Sequence, residues 1–152
     1  MKLHRFIFIT LFLGLSATLC FAQTKTKPVA PTGAQSVKTS PAYAEVLLRK
    51  TELLAELESL LIEYTEEYPK VKESRFEAGL LQKELDRLLA ANVADASRLS
   101  AALGKLMVRK CELGVDLWSL QEKFNDQHPD VKRAKRKAEI FEAAINDILQ
   151  GK

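Results

Sequence analysis

Beyond the first 22 residues, the side chains best suited to nucleophilic catalysis are the thiol of Cys111 and the imidazole of His128. A thiol becomes an effective nucleophile when a neighbouring imidazole takes its proton, so the two groups must lie within hydrogen-bonding reach. The two residues are about 17 positions apart, which on a continuous helix is about 25 Å. The spacing excludes a Cys/His pair within one chain unless the helix breaks. We therefore predict a partly buried, unpaired Cys111, with an intermolecular disulfide as the alternative.

Other catalytic and ligand-binding patterns are missing from the sequence. Its carboxylates are numerous but scattered, its His and Cys residues lack the spacing of a metal site, and no glycine-rich loop could hold a phosphate. We therefore predict a protein that is not an enzyme and uses no metal and no cofactor.

The least ordinary polar feature is a basic cluster that begins three residues after Pro129. Its positive charges fall in the first turns of an expected helix, where the helix dipole disfavours them. A solvated helix face is the plainer interpretation, and an anionic partner such as lipid or acidic polysaccharide is the other. Nucleic acid is not expected, because no aromatic side chains interleave with the charges. The candidate contacts are Lys132, Arg133, Lys135, Arg136 and Lys137.

The N-terminus has the parts of a secretory signal peptide. Lys2 and Arg5 precede an apolar stretch, and the small-residue pattern ending at Ala22 predicts cleavage before Gln23. Removing Lys2 and Arg5 lowers the basic count from 23 to 21, against 20 acidic residues. We predict an exported protein, periplasmic or secreted, with an uncleaved N-terminal membrane anchor as the alternative. Residues 23–41 are rich in Pro, Ser, Thr and Lys, so they are predicted to form a disordered tether.

The remaining sequence is a duplication. Residues 47–89 align without a gap on 107–149, and 12 of the 43 aligned pairs are identical. Each copy contains two apolar stripes at alternating steps of three and four, the pattern of helices that pack on helices. The first stripes are Tyr43, Val46, Lys50, Leu53, Leu57, Leu60 and Tyr64, and Leu99, Leu103, Leu106, Lys110, Leu113, Leu117, Leu120 and Phe124; the second are Val71, Ser74, Ala78, Leu81, Leu85 and Leu88, and Val131, Ala134, Ala138, Phe141, Ile145 and Ile148.

A proline separates the two stripes of each copy, at Pro69 and at Pro129. Proline fits the first turn of a helix, where its missing N–H costs nothing. The predicted fold is therefore all-α, with two tandem antiparallel helical hairpins at residues 42–92 and 93–150 that follow a repeat of about 60 residues. The join between them allows a four-helix bundle, with a loop at residues 92–97 and Asp95 as a helix cap, or an elongated coiled coil with one long central helix.

Two lysines, Lys50 and Lys110, occupy core slots, that is, positions of the stripes that are otherwise apolar. Each could contact a ligand or partner, or fix the helix register; alternatively its stem lies on the apolar seam and its amine reaches solvent. Trp118 lies beside the seam and is expected to cover a second interface.

The residues around each proline carry a resemblance. Tyr64-x3-Tyr68-Pro69-x-Val71-Lys72 and Phe124-x3-His128-Pro129-Asp130-Val131-Lys132 are similar to an element of bacterial polysaccharide chain-length determinants and exopolysaccharide-transport proteins. In that family an aromatic residue followed by His-Pro-x-Val marks the turn of periplasmic coiled-coil helices. The resemblance implies an extracytoplasmic helical hairpin in an envelope assembly. That family has two membrane spans flanking a larger domain, so no functional residue is transferred.

These observations favour an exported, non-catalytic adaptor or scaffold that acts by coiled-coil association in the cell envelope. Its expected partner is another protein or a second copy of the chain. The alternative is a periplasmic chaperone-like or anionic-ligand-binding module that uses charged hairpin tips. The first tip is acidic, with Glu63, Glu66 and Glu67, and the second carries the basic cluster. In a four-helix bundle the two tips would lie at one end and could neutralise each other.

Overall fold

The computed structural model describes residues 33–91 and 96–151. This part of the chain is all-helical, so the all-α prediction is confirmed for it. The signal peptide predicted at residues 1–22 lies outside the described ranges, as do residues 23–32 and Asp95. None of the described helices combines the length and the apolar character needed to cross a membrane. The helices are α1 (Gly33–Lys38), α2 (Pro41–Glu63), α3 (Pro69–Ala90), α4 (Ala101–Gln121) and α5 (Pro129–Gln150), with a 3₁₀ turn at Ala96–Arg98.

Local chemistry sets the start of each long helix. The hydroxyl of Ser40 accepts a hydrogen bond from the Tyr43 N–H at the start of α2, and Ser100 does the same for Leu103 at the start of α4. Both residues lie in extended backbone, and they are 60 positions apart, the spacing of the duplication. Proline occupies the first helical position of α2, α3 and α5.

The last part of the predicted tether, residues 33–41, contains helical structure. Residues Gly33–Lys38 form α1, which contacts α2 and α3, and Val37 is only 6% exposed within the apolar core. The Ser40 hydroxyl donates a hydrogen bond to the Val37 carbonyl over 2.6 Å. One buried valine and a capping serine therefore order a segment whose average composition is polar.

The core lies where α2, α3 and α4 meet. The fully buried side chains there include Leu53 of α2, Leu81 of α3, and Leu103 and Met107 of α4. α5 packs on α4 and contributes Ile145 to the same core. It buries far fewer side chains than α3, so much of its surface faces solvent.

α3 and α4 are two separate helices, because α3 ends at Ala90 and α4 begins at Ala101. The starts of α2 and α4 lie side by side: the Ala42 N–H donates to the Leu99 carbonyl over 3.0 Å. Gly104 makes this approach possible, because a Cβ placed on it would lie 2.8 Å from the Ala42 oxygen and 2.6 Å from the Glu45 Cβ.

Candidate interaction surfaces

The residues predicted to form the turns adopt the same arrangement in both copies of the repeat. Tyr64 stacks on Tyr68, and Phe124 stacks on His128, each with 4.1 Å between ring centroids. Tyr68 and His128 have extended backbone, as a following proline requires. Tyr64 and Phe124 are 41% and 40% exposed, so the apolar stripes are no longer buried where the helices reach the turns. His128 Nδ1 also accepts a hydrogen bond from the Asp130 N–H, which gives the imidazole a capping role.

The two core-slot lysines make equivalent contacts that differ in charge. The Lys50 ammonium donates to the side-chain oxygen of Gln82, and the Lys110 ammonium lies 2.7 Å from a carboxylate oxygen of Glu142. Gln82 and Glu142 occupy the same position of the repeat. Lys110 also binds Glu84 of α3. The second lysine is therefore an ion-pair centre, whereas the first is bound to a neutral amide.

Around Lys110 the structure forms a polar network that joins α3, α4 and α5. Arg87 of α3 donates to Glu142 over 3.0 Å and to Asn146 over 2.6 Å, both on α5, and it also contacts Glu84. The Glu84 side chain is only 6% exposed. The network contains two cations and two carboxylates, so its formal charge is zero. It holds the three helices in one relative register.

The interactions in this network shift the pKa values of Glu142 and Lys110. Burial alone would raise the pKa of Glu142, but hydrogen bonds from Lys110 and Arg87 outweigh it, and the pKa falls below its ordinary value. Burial alone would lower the pKa of Lys110, but hydrogen bonds to Glu142 and Glu84 outweigh it, and the pKa is raised. Both groups are therefore held in their charged forms.

Cys111 is a free thiol and only 2% exposed, so it is more deeply buried than the partly buried thiol that the sequence predicts. Burial, together with the nearby carboxylate of Glu84, raises its pKa to about 12. The thiolate is the reactive form, so this cysteine is poorly suited to nucleophilic chemistry near neutral pH.

We expect Cys111 to resist alkylation by iodoacetamide at pH 8.5 in the folded chain and to react fully in guanidinium chloride. The labelling rate should be at least about 100-fold slower in the folded state, since a thiol whose pKa is raised to about 12 carries very little thiolate at pH 8.5. Mass spectrometry of quenched samples follows the rate, with Cys20→Ser as the background. Equal rates in the two states would contradict a buried thiol.

The basic cluster lies on the exposed surface of α5, and its charges are partly paired there. Arg133 binds Asp130, and Arg136 lies 3.3 Å from Glu139. Arg133 and Lys137 also line an open groove of about 560 Å³ between α4 and α5, which they share with the carboxylates of Asp116 and Asp130. The groove therefore presents both signs of charge.

The acidic tip is also paired within its own half of the chain. Glu66 binds Arg75, and Glu67 lies 2.5 Å from Lys72. These partners follow the tip on α3. Among the described residues, Glu66 and Glu67 therefore pair with cations of α3, whereas the sequence predicted that the acidic tip could be neutralised by the basic tip.

A second interface between the two halves involves Trp118. Its ring stacks on Phe76 of α3, with 5.1 Å between centroids. The sequence predicts that Trp118 covers such an interface, but it does not identify the partner ring. Along the same seam, Gly114 of α4 faces Leu80 of α3, since a Cβ at Gly114 would lie 2.8 Å from a Leu80 methyl carbon.

α2 carries a second apolar row, which the structure leaves largely exposed. We call it the outer apolar face of α2, formed by Leu47, Leu54, Leu61 and Ile62. Leu47 and Leu54 are 42% and 41% exposed, and Ile62 is 85% exposed. The heptad spacing of Leu47, Leu54 and Leu61 is a sequence signal for this face. This row was not predicted, because the core stripe already accounts for the apolar residues that a surface helix needs.

Among the described residues no group of three His, Cys, Asp or Glu side chains is arranged to hold a metal ion. Comparison of the chain with protein-family models, with curated proteins and with solved structures finds no significant match. The resemblance to polysaccharide chain-length determinants therefore rests on the turn residues alone and stays a prediction.

Proposed function

We propose that this chain is an exported, non-catalytic helical scaffold that works by helix-mediated association in the cell envelope. In this proposal α2–α3 and α4–α5 are two tandem antiparallel hairpins, packed together as a four-helix bundle. The observation that carries the proposal is the outer apolar face of α2.

A surface helix of a single folded unit needs one apolar stripe, which faces the core. α2 has that stripe, with Val46, Leu53 and Leu57 buried, and it has the outer apolar face in addition. The outer face extends from Leu47 to Ile62, about 22 Å along the helix axis. An apolar row of this length is typical of a surface that another helix covers.

The positions of the two reactive side chains support a non-catalytic role. Cys111 is buried with a raised pKa, and His128 is stacked on Phe124 and caps α5. Both side chains are engaged in packing or capping. Export is supported by the signal-like segment at residues 1–22, and an envelope location by the resemblance of the turn residues.

The alternative, an anionic-ligand module with charged tips, has less support. Arg133 and Lys137 share their groove with two carboxylates, and the acidic tip is paired with Lys72 and Arg75. At each tip part of the charge is therefore neutralised by side chains of the opposite sign in the same chain.

Photo-crosslinking in cells tests the scaffold proposal. A photoreactive amino acid replaces Leu54 in the full chain, produced in a bacterial host that carries the natural gene. Irradiation should give a defined protein adduct. The same residue at Lys83, which is exposed on α3, is the control and should give none. No adduct at position 54, despite normal folding by circular dichroism, would overturn the proposal.

A further inference from the structure

We propose that the outer apolar face of α2 binds α5 of a second copy of this chain, so that copies associate head to tail. The inference rests on the proposed function and specifies its partner. It follows from the contact that joins α3 to α4 inside one molecule.

That internal contact consists of matched positions on two antiparallel helices. On α3 the contacting residues recur every four positions, and on α4 they recur at the same spacing in the opposite direction. Ring stacking, close packing and an ion pair follow one another along the seam. The pairs are Phe76 with Trp118, Leu80 with Gly114, and Glu84 with Lys110.

Because of the duplication, the residues on each side of this contact have equivalents elsewhere in the molecule. Subtracting 60 from the residue numbers on α4 gives a row on α2, and adding 60 to those on α3 gives a row on α5. The row on α2 is centred on Leu54 of the outer apolar face, which is 41% exposed. The row on α5 is centred on Ile140, which is 54% exposed. The equivalent pairs are Glu58 with Arg136, Leu54 with Ile140, and Lys50 with Ala144.

At two of the three pairs the exposed side chains are chemically complementary. Leu54 and Ile140 form an apolar pair at the centre. Glu58 and Arg136 have opposite charges and are both exposed, and they replace the stack of Trp118 on Phe76. Leu54 is larger than Gly114, so the two helices would lie further apart than α3 and α4 do. The Leu54 side chain occupies the added distance at the centre of the contact.

Charge on a wider scale favours the same pairing. The antiparallel match places the basic first turns of α5 beside the last turns of α2, where Glu58 and Glu63 lie. A second copy thereby supplies negative charge to a helix N-terminus that carries five cations. This gives the basic cluster a role in self-association.

The geometry has a consequence for the form of the assembly. In this proposal each copy presents α2 to one neighbour and α5 to a different neighbour. Such a heterologous contact leaves one open surface at each end, so association continues into a ring or a filament. It does not stop at a symmetric dimer.

Engineered cysteines test this arrangement directly. The full chain carries Leu54→Cys and Ile140→Cys in a Cys20→Ser, Cys111→Ser background, and mild oxidation is followed by a non-reducing gel. We expect a ladder of dimers, trimers and larger species. A mixture of the two single-cysteine chains should give the hetero-linked dimer and no ladder. Crosslinks confined to dimers in the double variant, or no crosslinks, would overturn head-to-tail pairing.

Charge reversal provides a second test with a built-in rescue. Glu58→Arg and Arg136→Glu should each reduce the yield of the cysteine ladder about fivefold, the size expected for one ion pair at an interface. The two changes together should restore it. Glu52→Arg and Lys83→Glu are matched reversals at exposed positions outside the two rows and should leave the yield unchanged. Failure of the double reversal to restore the ladder would contradict the assigned pairing.

The identity of the adduct at position 54 separates the two proposals. An adduct with peptides from around Ile140 of a second copy of this protein supports both the scaffold proposal and self-association. An adduct with a different protein overturns self-association and leaves the scaffold proposal standing, and the absence of any adduct overturns both.

Discussion

Gly104→Ala is expected to lower the free energy of unfolding by about 2 kcal/mol, although alanine is the better helix former. The added methyl group would meet the backbone oxygen of Ala42 and the Cβ of Glu45, at 2.8 and 2.6 Å. Neither atom is the free end of a flexible side chain, so α2 and α4 must move apart. Urea unfolding followed by circular dichroism measures the change.

The matched control is Gly79→Ala on α3. A Cβ at Gly79 has nothing within 4 Å, so only helix propensity acts, and the free energy of unfolding should rise by about 0.5 to 1 kcal/mol. The same substitution therefore has opposite effects at the two sites. Stabilisation by Gly104→Ala would mean that the starts of α2 and α4 are not in close contact.

Lys110→Met is expected to lower the free energy of unfolding by about 2 to 3 kcal/mol. The substitution keeps the apolar stem but removes the cation that binds Glu84 and Glu142. Glu84 is almost fully buried, and it would keep only Arg87 as a charged partner at 3.3 Å. Loss of one of its two cations is costly for a buried carboxylate, because water cannot take the place of the cation.

Lys50→Met is the matched control in the first copy of the repeat. It removes one hydrogen bond to a half-buried neutral amide, so the loss should stay below about 1 kcal/mol. Thermal and urea unfolding of both variants give the comparison. Equal losses would show that the network around Lys110 does not contribute to stability.

The effect of Lys110→Met should depend on pH at both ends of the scale. The lowered pKa of Glu142 gives stability that is present above its ordinary value of 4.5 and lost as the pH falls through the folded value. The raised pKa of Lys110 gives stability that is present below its ordinary value of 10.5 and lost as the pH rises. The difference between wild type and variant should therefore be largest near neutral pH.

Several features of this protein follow from local sequence alone. The apolar stripes predict helices, and the core positions Val46, Leu53, Leu81 and Ile145 are buried. The aromatic residue four positions before Tyr68 stacks on it at the turn. Such features depend on backbone geometry and on neighbours within a few residues, so they can be read without knowledge of the fold.

The contacts between the two copies of the repeat could not be read in this way. Lys50 and Lys110 have the same place in the pattern, yet only Lys110 meets a buried carboxylate from another helix. Trp118 is visible as an interface residue, but its partner Phe76 comes from a different helix. Each of these partners lies more than 20 positions away in the chain.

The two apolar rows of α2 also show what neighbouring residues determine and what residues far apart in the chain determine. The residue spacing of α2 gives a core stripe and a second apolar row with Leu47 and Leu54. The amphipathic pattern alone does not show which of the two rows is buried. The equivalent row of α4 is covered by α3, and Met107 in it is fully buried, whereas Leu47 is left exposed. A helix has several sides that could be buried, and only the tertiary structure shows which neighbours cover them. Burial at a given side is a property of what packs there, and that depends on residues far apart in the chain.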